Sequence, residues 1–324
     1  VGTAVLGSLL SPVVLAFALG VAAAMLRSEI RFAEPVHSAI ASYLLLAIGL
    51  KGGIGLRAAA PSEVLLPLGV TLVLGVVSPL VAWWFVGLVM RGLQRADRGA
   101  LSAHYGSTSL VTFTAALTVV EDRGLDAPGY LPTLLAVLEV PGILIGLALA
   151  VGAGAGGRRA LAAALGEVSR SRSVVLLLGG LVVGAAAGPE RYASVEPLFG
   201  ALFQGLLLLF LLDLGVMAGE RLREVRRAGV GLLGVALVLP VVNGTLGVVG
   251  GALAGLPVGG AALLGVLVGS ASYIAAPAAV RLALPQASPA LALTASLGIT
   301  FPFNLTVGIP LMITLAERLV PLLA

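Results

Sequence analysis

Long apolar stretches, separated at intervals by short clusters of charge, run through the whole chain. Reading them between the charges gives ten segments, near 11 to 26, 36 to 50, 64 to 90, 99 to 120, 130 to 151, 173 to 187, 197 to 219, 228 to 254, 258 to 280 and 288 to 315. A helix crossing a hydrocarbon core about 30 Å thick needs about 20 apolar residues. The pattern therefore predicts an all-α polytopic membrane protein with ten transmembrane helices. The Ser11 to Met25 run lacks the basic flank of a cleavable signal peptide and is read as a span.

Composition agrees and excludes most soluble enzyme classes. Of 324 residues, 59% are hydrophobic and 10% charged, and the mean hydropathy is +1.11. The 44 Gly and 18 Pro lie within the apolar stretches, as close helix packing or local unwinding requires. With no Cys, disulfides, thiolate metal sites and cysteine nucleophiles are out. The net charge of +4 reports orientation before it reports any nucleic-acid partner, and none is expected. Most basic residues fall on one set of alternate loops, from Arg27 and Arg31 through Arg91, Arg158 and Arg221 to Arg281. Only Lys51, Arg57, Arg123, Arg191 and Arg318 fall on the other. The positive-inside rule then places both termini outside the cytoplasm, and the protein is expected in the cell's inner (plasma) membrane.

The two halves of the chain resemble one another. "SPVVLAFALGVAAAM" from Ser11 returns loosely as "SVVLLLGGLVVGAAAG" from Ser173, Glu34-Pro35 returns as Glu196-Pro197, and Pro79 and Pro141 parallel Pro240 and Pro302. "GSTS" (Gly106 to Ser109) parallels "GSAS" (Gly269 to Ser272). A duplicated unit with an odd number of spans must insert in opposite senses in its two copies. We therefore expect an inverted repeat, with residues 1–152 as the first unit, 153–172 as a cytoplasmic linker and 173–324 as the second. Secondary transporters are the main users of that plan.

Chemistry concentrates at two equivalent places. The fourth span carries seven Ser or Thr between Ser102 and Thr118, with His104 and Tyr105, and the ninth sets Gly269, Ser270, Ala271, Ser272, Tyr273 and Pro277 at matching depth. Both are read as discontinuous helices. A break exposes amide N–H groups at one half-helix start and carbonyls at the preceding end, equivalent to about half a charge of each sign. Crossed and inverted, the two starts suit a small anion. Freed carbonyls and the hydroxyls of Ser107, Ser109, Thr112, Ser270 and Ser272 suit sodium. Ser, Thr and Gly also serve as packing residues and hydrogen-bonding glue, but two clusters at equivalent repeat positions, each beside a helix breaker, favour a site. Glu139 and Asp213 are carboxylates inside spans. Glu139 is a candidate cation ligand or proton carrier, whereas Asp213 is expected to pair with a neighbour or cap a break.

Other signals read as structural. His37 and His104 are too few and too separated for zinc, and His104 is expected to pack and hydrogen-bond. The "GGIG" run near Gly52 follows no strand, so a dinucleotide loop is not expected. Glu121, Asp122 and Asp126 read as a solvated outer loop. The arginines of "ERLREVRR" from Glu220 would attract anionic lipid or an acidic regulator, although orientation already accounts for them.

On "YGSTSLVTFTAAL" from Tyr105, "LEVPG" from Leu138 and "SASYIAAPAAVRLALPQASP" from Ser270, the chain resembles the sodium-dependent bicarbonate transporter family (SbtA-type permeases) over nearly its whole length. The resemblance implies two inverted five-helix repeats with crossed helices 4 and 9, a core and a gate domain, a homotrimer, and bicarbonate as substrate with sodium as coupling ion and no other cofactor. Carried over residue by residue, it matches Gly106, Ser109, Thr112, Ser270 and Ser272 to small or hydroxyl positions of those motifs and Glu139 to an acidic position, within the candidate binding residues Gly106, Ser107, Thr108, Ser109, Thr112, Glu139, Gly269, Ser270, Ala271, Ser272 and Tyr273. Of the hydroxyls, those of Ser109, Thr112 and Ser272 are the expected sodium ligands. Relatives can also be inhibited by a PII-like cytoplasmic protein. The chain departs from the family in having Tyr273 where cyanobacterial members carry an aspartate, and in lacking their long cytoplasmic insertion.

The function expected is sodium-coupled symport of bicarbonate or a similar small anion by alternating access. One alternative is a cation/proton antiporter or an organic-anion symporter on a related fold. Another, of a different class, is a membrane sensor or scaffold that binds a cytoplasmic regulator.

Overall fold

A computed structural model describes residues 11–152 and 154–323, so the extreme ends of the two expected repeats and Ala153 of the linker lie outside the described residues. Among the described residues every regular element is helical. These are α1 (Pro12–Met25), α2 (Glu34–Ala58), α3 (Pro61–Val89), α4 (Arg95–Gly106), α5 (Leu110–Asp122), α6 (Leu131–Val151), α7 (Ala155–Ser169) and α8 (Arg172–Tyr192). There follow α9 (Pro197–Glu220), α10 (Leu222–Arg227), α11 (Val230–Leu253), α12 (Val258–Val268), α13 (Ala275–Ala283) and α14 (Pro289–Leu323). Seven of these, α2, α3, α6, α8, α9, α11 and α14, are long and apolar enough to cross a membrane. The fourth and ninth apolar segments are each split, into α4 with α5 and α12 with α13.

Local sequence accounts for the boundaries. Ser11 and Ser171 cap α1 and α8 by accepting from the amides of Val14 and Val174. Proline stands at the first turn of α2, α3 and α6, where its missing N–H costs nothing. In α14 the turns open to π geometry over Thr294–Thr300 and Asn304–Gly308. Pro302 and Pro310 follow these stretches, and a proline ring clashes with the carbonyl four residues earlier, which a widened turn relieves.

The stretch expected as the linker carries α7. Its "AGGRRALAAALGEVS" sequence is rich in strong helix formers, and Ala164 and Val168 bury against the small residues Ala276, Ala279 and Ala283 of α13.

The helices pack in two groups. α1 lies on α9 and α2 on α8, while α3, α4 and α6 pack together, as do α11, α12 and α14. Apolar side chains that face outward, including Leu65, Val73, Trp84 and Leu88 on α3 and Val175, Val182 and Val183 on α8, form the surface a bilayer requires. Arg98 turns back to donate to the Trp83 carbonyl at 2.7 Å, its guanidinium 4.1 Å from the Trp83 ring centroid.

Within the first group, close approach depends on glycine. A Cβ on Gly215 of α9 would land on the Phe17 carbonyl of α1, and one on Gly20 would land on the Leu212 carbonyl, so backbone meets backbone there. By contrast, Gly205 on the same helix has open space where its Cβ would stand. Gly215→Val should therefore lower stability by about 1–3 kcal/mol or more, while Gly205→Val should stay within about 1 kcal/mol of the parent. Thermal unfolding of the purified protein in detergent checks the pair, and equal midpoints would contradict the packing.

Candidate functional site

The two split segments stop and restart in similar ways. α4 ends at Gly106, Ser107 and Ser109 take extended backbone angles, and α5 starts at Leu110. Ser109 caps the new helix, its Oγ accepting from the Thr112 amide at 3.2 Å and from Thr112 Oγ1 at 2.9 Å. α12 ends at Val268, and α13 starts at Ala275 with Ser272 Oγ accepting from the Ala276 amide at 3.2 Å.

Each interruption is bonded to the other. The Ser109 amide donates to Ser270 Oγ at 2.8 Å, and Ser270 Oγ itself donates to the Leu267 carbonyl at 2.8 Å. With its one proton spent there, Ser270 must accept from Thr108 Oγ1, 3.1 Å away. On the other side the Ser272 amide donates to the His104 carbonyl at 2.8 Å, and His104 Nδ1 lies 2.6 Å from the Ser272 carbonyl. A carbonyl only accepts, so Nδ1 carries the hydrogen.

The carbonyls freed at the half-helix ends are taken up by side chains from neighbouring helices. Asn304 Nδ2 donates to the Gly269 carbonyl at 3.1 Å, Asn243 Nδ2 to the Tyr105 carbonyl at 3.4 Å, and Ser78 Oγ to the Gly106 carbonyl at 3.5 Å. Ser107 donates to the Glu139 carbonyl at 3.1 Å, which ties the first break to α6. Tyr105 donates to Thr300 Oγ1 at 2.7 Å, because Thr300 spends its own proton on the Ala236 carbonyl. Sequence reasoning missed Asn243, Asn304, Ser78 and Thr300. The two buried amides, alone in "LPVVNGTLG" and "FPFNLTVG", were the signal available.

A cavity of about 20 Å³ lies at the meeting point, lined by Leu45 of α2, Thr108, Ser109, Leu110, Glu139, Ser173 of α8, and Ser272 to Ala275. That is room for about one water-sized probe. Glu139 is 6% exposed, and the Tyr273 hydroxyl is buried beside Ser109 without a hydrogen bond of good geometry. Of the residues singled out in the sequence, Thr108, Ser109, Glu139, Ser272 and Tyr273 share this cavity. Thr112 stands behind Ser109 and does not line it. Ser107 and Ser270 serve as the bonds that join elements. Gly106 allows backbone contact with Gly142, Gly269 packs under the Pro240 carbonyl, and Ala271 is buried in an apolar cluster with Leu239 and Ile299.

Asp213 lies elsewhere, its carboxylate 2.6 Å from His37 Nδ1 and accepting from the Phe32 amide at 3.1 Å. Lys51 sits 4.7 Å from the Phe203 ring centroid. Among the described residues no three His, Asp or Glu side chains gather as a multivalent metal would need. The cavity instead offers hydroxyls, one carboxyl group and the starts of α5 and α13, a donor set of hard oxygens and helix-end amides.

A family profile described as the Na+-dependent bicarbonate transporter superfamily matches residues 12–317, and the chain belongs to this family. None of the curated proteins compared matches it.

Ser270→Ala would leave the buried Ser109 amide without an acceptor, and about 1–3 kcal/mol of stability should go with it. Thr245→Val removes only a hydroxyl that back-bonds to the Val241 carbonyl of its own helix and should change stability by about 1 kcal/mol or less. Unfolding midpoints in detergent compare the two, and equal losses would contradict the assigned role of Ser270.

Proposed function

We propose that this chain is a secondary active symporter that moves bicarbonate, or a similar small anion, together with sodium by alternating access. The observation that carries the reading is the cavity where the two interrupted helices meet, lined by Ser109, Ser272, Glu139 and Tyr273 in a member of a Na+-dependent transporter family. The starts of α5 and α13 supply partial positive charge to an anion without a buried cation of their own. Sodium beside the anion offsets its charge where water is scarce, so each ion raises the affinity of the other and the two travel as a pair.

Ser109, Ser272, Glu139 and the Tyr273 hydroxyl are the proposed first ligands, with Thr112 acting through Ser109. In this family setting Tyr273 stands where the resemblance implies an aspartate, so Glu139 is left as the formal negative charge toward sodium. The cavity must widen to take bicarbonate. That suits a closed state in which α1, α2, α8 and α9 form a gate and the remaining long helices a core that shifts against it.

Ten spans in two inverted repeats are part of the same proposal. Exchanging the halves turns the α1–α9 pairing into α8–α2, and the α3–α4–α6 cluster into α11–α12–α14, and both partners of each exchange are in contact. The arginine-rich loops would face the cytoplasm, the termini the outside of the inner membrane, and the assembly would be a homotrimer. A cation/proton antiporter would be served by adjacent buried acids, whereas Glu139 is the buried carboxylate at this cavity.

The test is uptake of labelled bicarbonate into proteoliposomes. An inward sodium gradient should drive accumulation, potassium should not, and Ser109→Ala or Ser272→Ala should reduce the rate by about tenfold, as loss of a hydrogen bond to a charged group does. Uptake indifferent to sodium would overturn the mechanism.

A further inference from the structure

The crossing has a second face. On the far side of the His104–Ser272 contact lies a separate cavity of about 320 Å³, lined by His104, Pro277, Val280, Arg281, Pro285, Ala287, Pro289, Ala292 and Leu293. That volume falls in the range of small-molecule sites. Two groups in it bear on ligand chemistry. Arg281, one turn beyond Pro277 on the same face of α13, is exposed, and among the described residues no carboxylate pairs with it. His104 is almost fully buried, with its Nδ1 hydrogen committed to the Ser272 carbonyl. With that hydrogen on Nδ1, Nε2 on the opposite edge of the neutral ring is a hydrogen-bond acceptor.

A fixed cation and a fixed acceptor in one cavity select an unusual ligand. Chloride and nitrate satisfy the guanidinium but bring nothing for Nε2 to accept. An oxyanion that keeps an O–H of its own satisfies both. We propose that this cavity is a second anion site, on the arginine-rich side of the crossing, where Arg281 binds the charge and His104 Nε2 accepts the hydroxyl of a protonated oxyanion such as bicarbonate. Because Ser272 borders the first cavity while its carbonyl holds His104, which lines the second, the two sites share one wall. An anion leaving the first on this side meets the second. The site's selectivity stands on its own geometry, whereas its place on a transport path rests on the function proposed above.

The chain has no Cys, so Leu293→Cys places a lone thiol in the cavity. The experiment follows the labelling rate of that thiol by a neutral maleimide in the purified protein, at constant pH, with bicarbonate, nitrate or chloride, and in vesicles of neutral lipid with or without added anionic lipid. Bicarbonate should slow labelling in neutral lipid, with nitrate and chloride needing about tenfold higher concentration for the same effect. Adding Arg281→Gln should abolish protection by all three. Adding His104→Asn keeps an amide donor toward the Ser272 carbonyl but removes Nε2, and should bring bicarbonate down to the level of nitrate with the unfolding midpoint little changed.

Labelling indifferent to bicarbonate, equal protection by nitrate, or protection by anionic lipid alone would overturn the proposal. The last result would make the cavity a lipid headgroup site. Sodium-driven uptake without protection would remove this site and leave the transport reading standing. Protection without uptake would do the reverse.

Discussion

Backbone amides and carbonyls in a hydrocarbon core must find partners within the protein, because an unpaired one there costs several kcal/mol. Everything at the centre of this molecule follows from breaking two helices under that constraint. The breaks at Ser107 to Ser109 and at Gly269 to Ile274 expose groups that the α-helical ladder would have used. Each break is completed largely by the other, through Ser270 and the Ser109 amide on one side and His104 and Ser272 on the other. The remaining carbonyls draw on Asn243, Asn304 and Ser78. Opening the helices is tolerable because they open together, and the openings leave their polar ends around one small space.

This arrangement links stability to function unusually tightly. Ser270 and His104 hold the crossing in register, whereas Ser109, Ser272, Glu139 and Tyr273 face the cavity it encloses. Glycine sets the distances. Gly106 against Gly142, and Gly269 under Pro240, let the half-helices approach their neighbours more closely than any side chain would permit. The first group of helices uses the same device at Gly20 and Gly215, where two backbones touch with nothing between them.

Much of this was legible in the sequence, for definite reasons. Apolar runs mark membrane helices because length and hydropathy act locally, and the repetition of "GSTS" as "GSAS", each opening on a glycine and the second followed by Pro277, marks where the ladder fails. Residues whose meaning depends on a distant partner were harder to read. Asn243 and Asn304 are single amides in apolar spans, and nothing local says which carbonyl they serve. The expectation that Asp213 pairs with a neighbour was open as to which, and His37 supplies the partner across 176 positions. The link after Gly152 read as a connection because its boundaries were clear, while the helix within it depends on burial against α13. His104 reads as a packing residue and does hydrogen-bond across the crossing, but the second cavity it lines has no sequence signature.

The central claim is that the meeting of the two interruptions is an ion site. A high-resolution map of the protein in sodium bicarbonate, compared with one in choline chloride, tests this most directly. The account predicts added density bounded by Ser109, Ser272, Glu139 and Tyr273 with both helices still broken. Continuous helices through either segment, or a dry and unchanged cavity with the ions bound elsewhere, would contradict it.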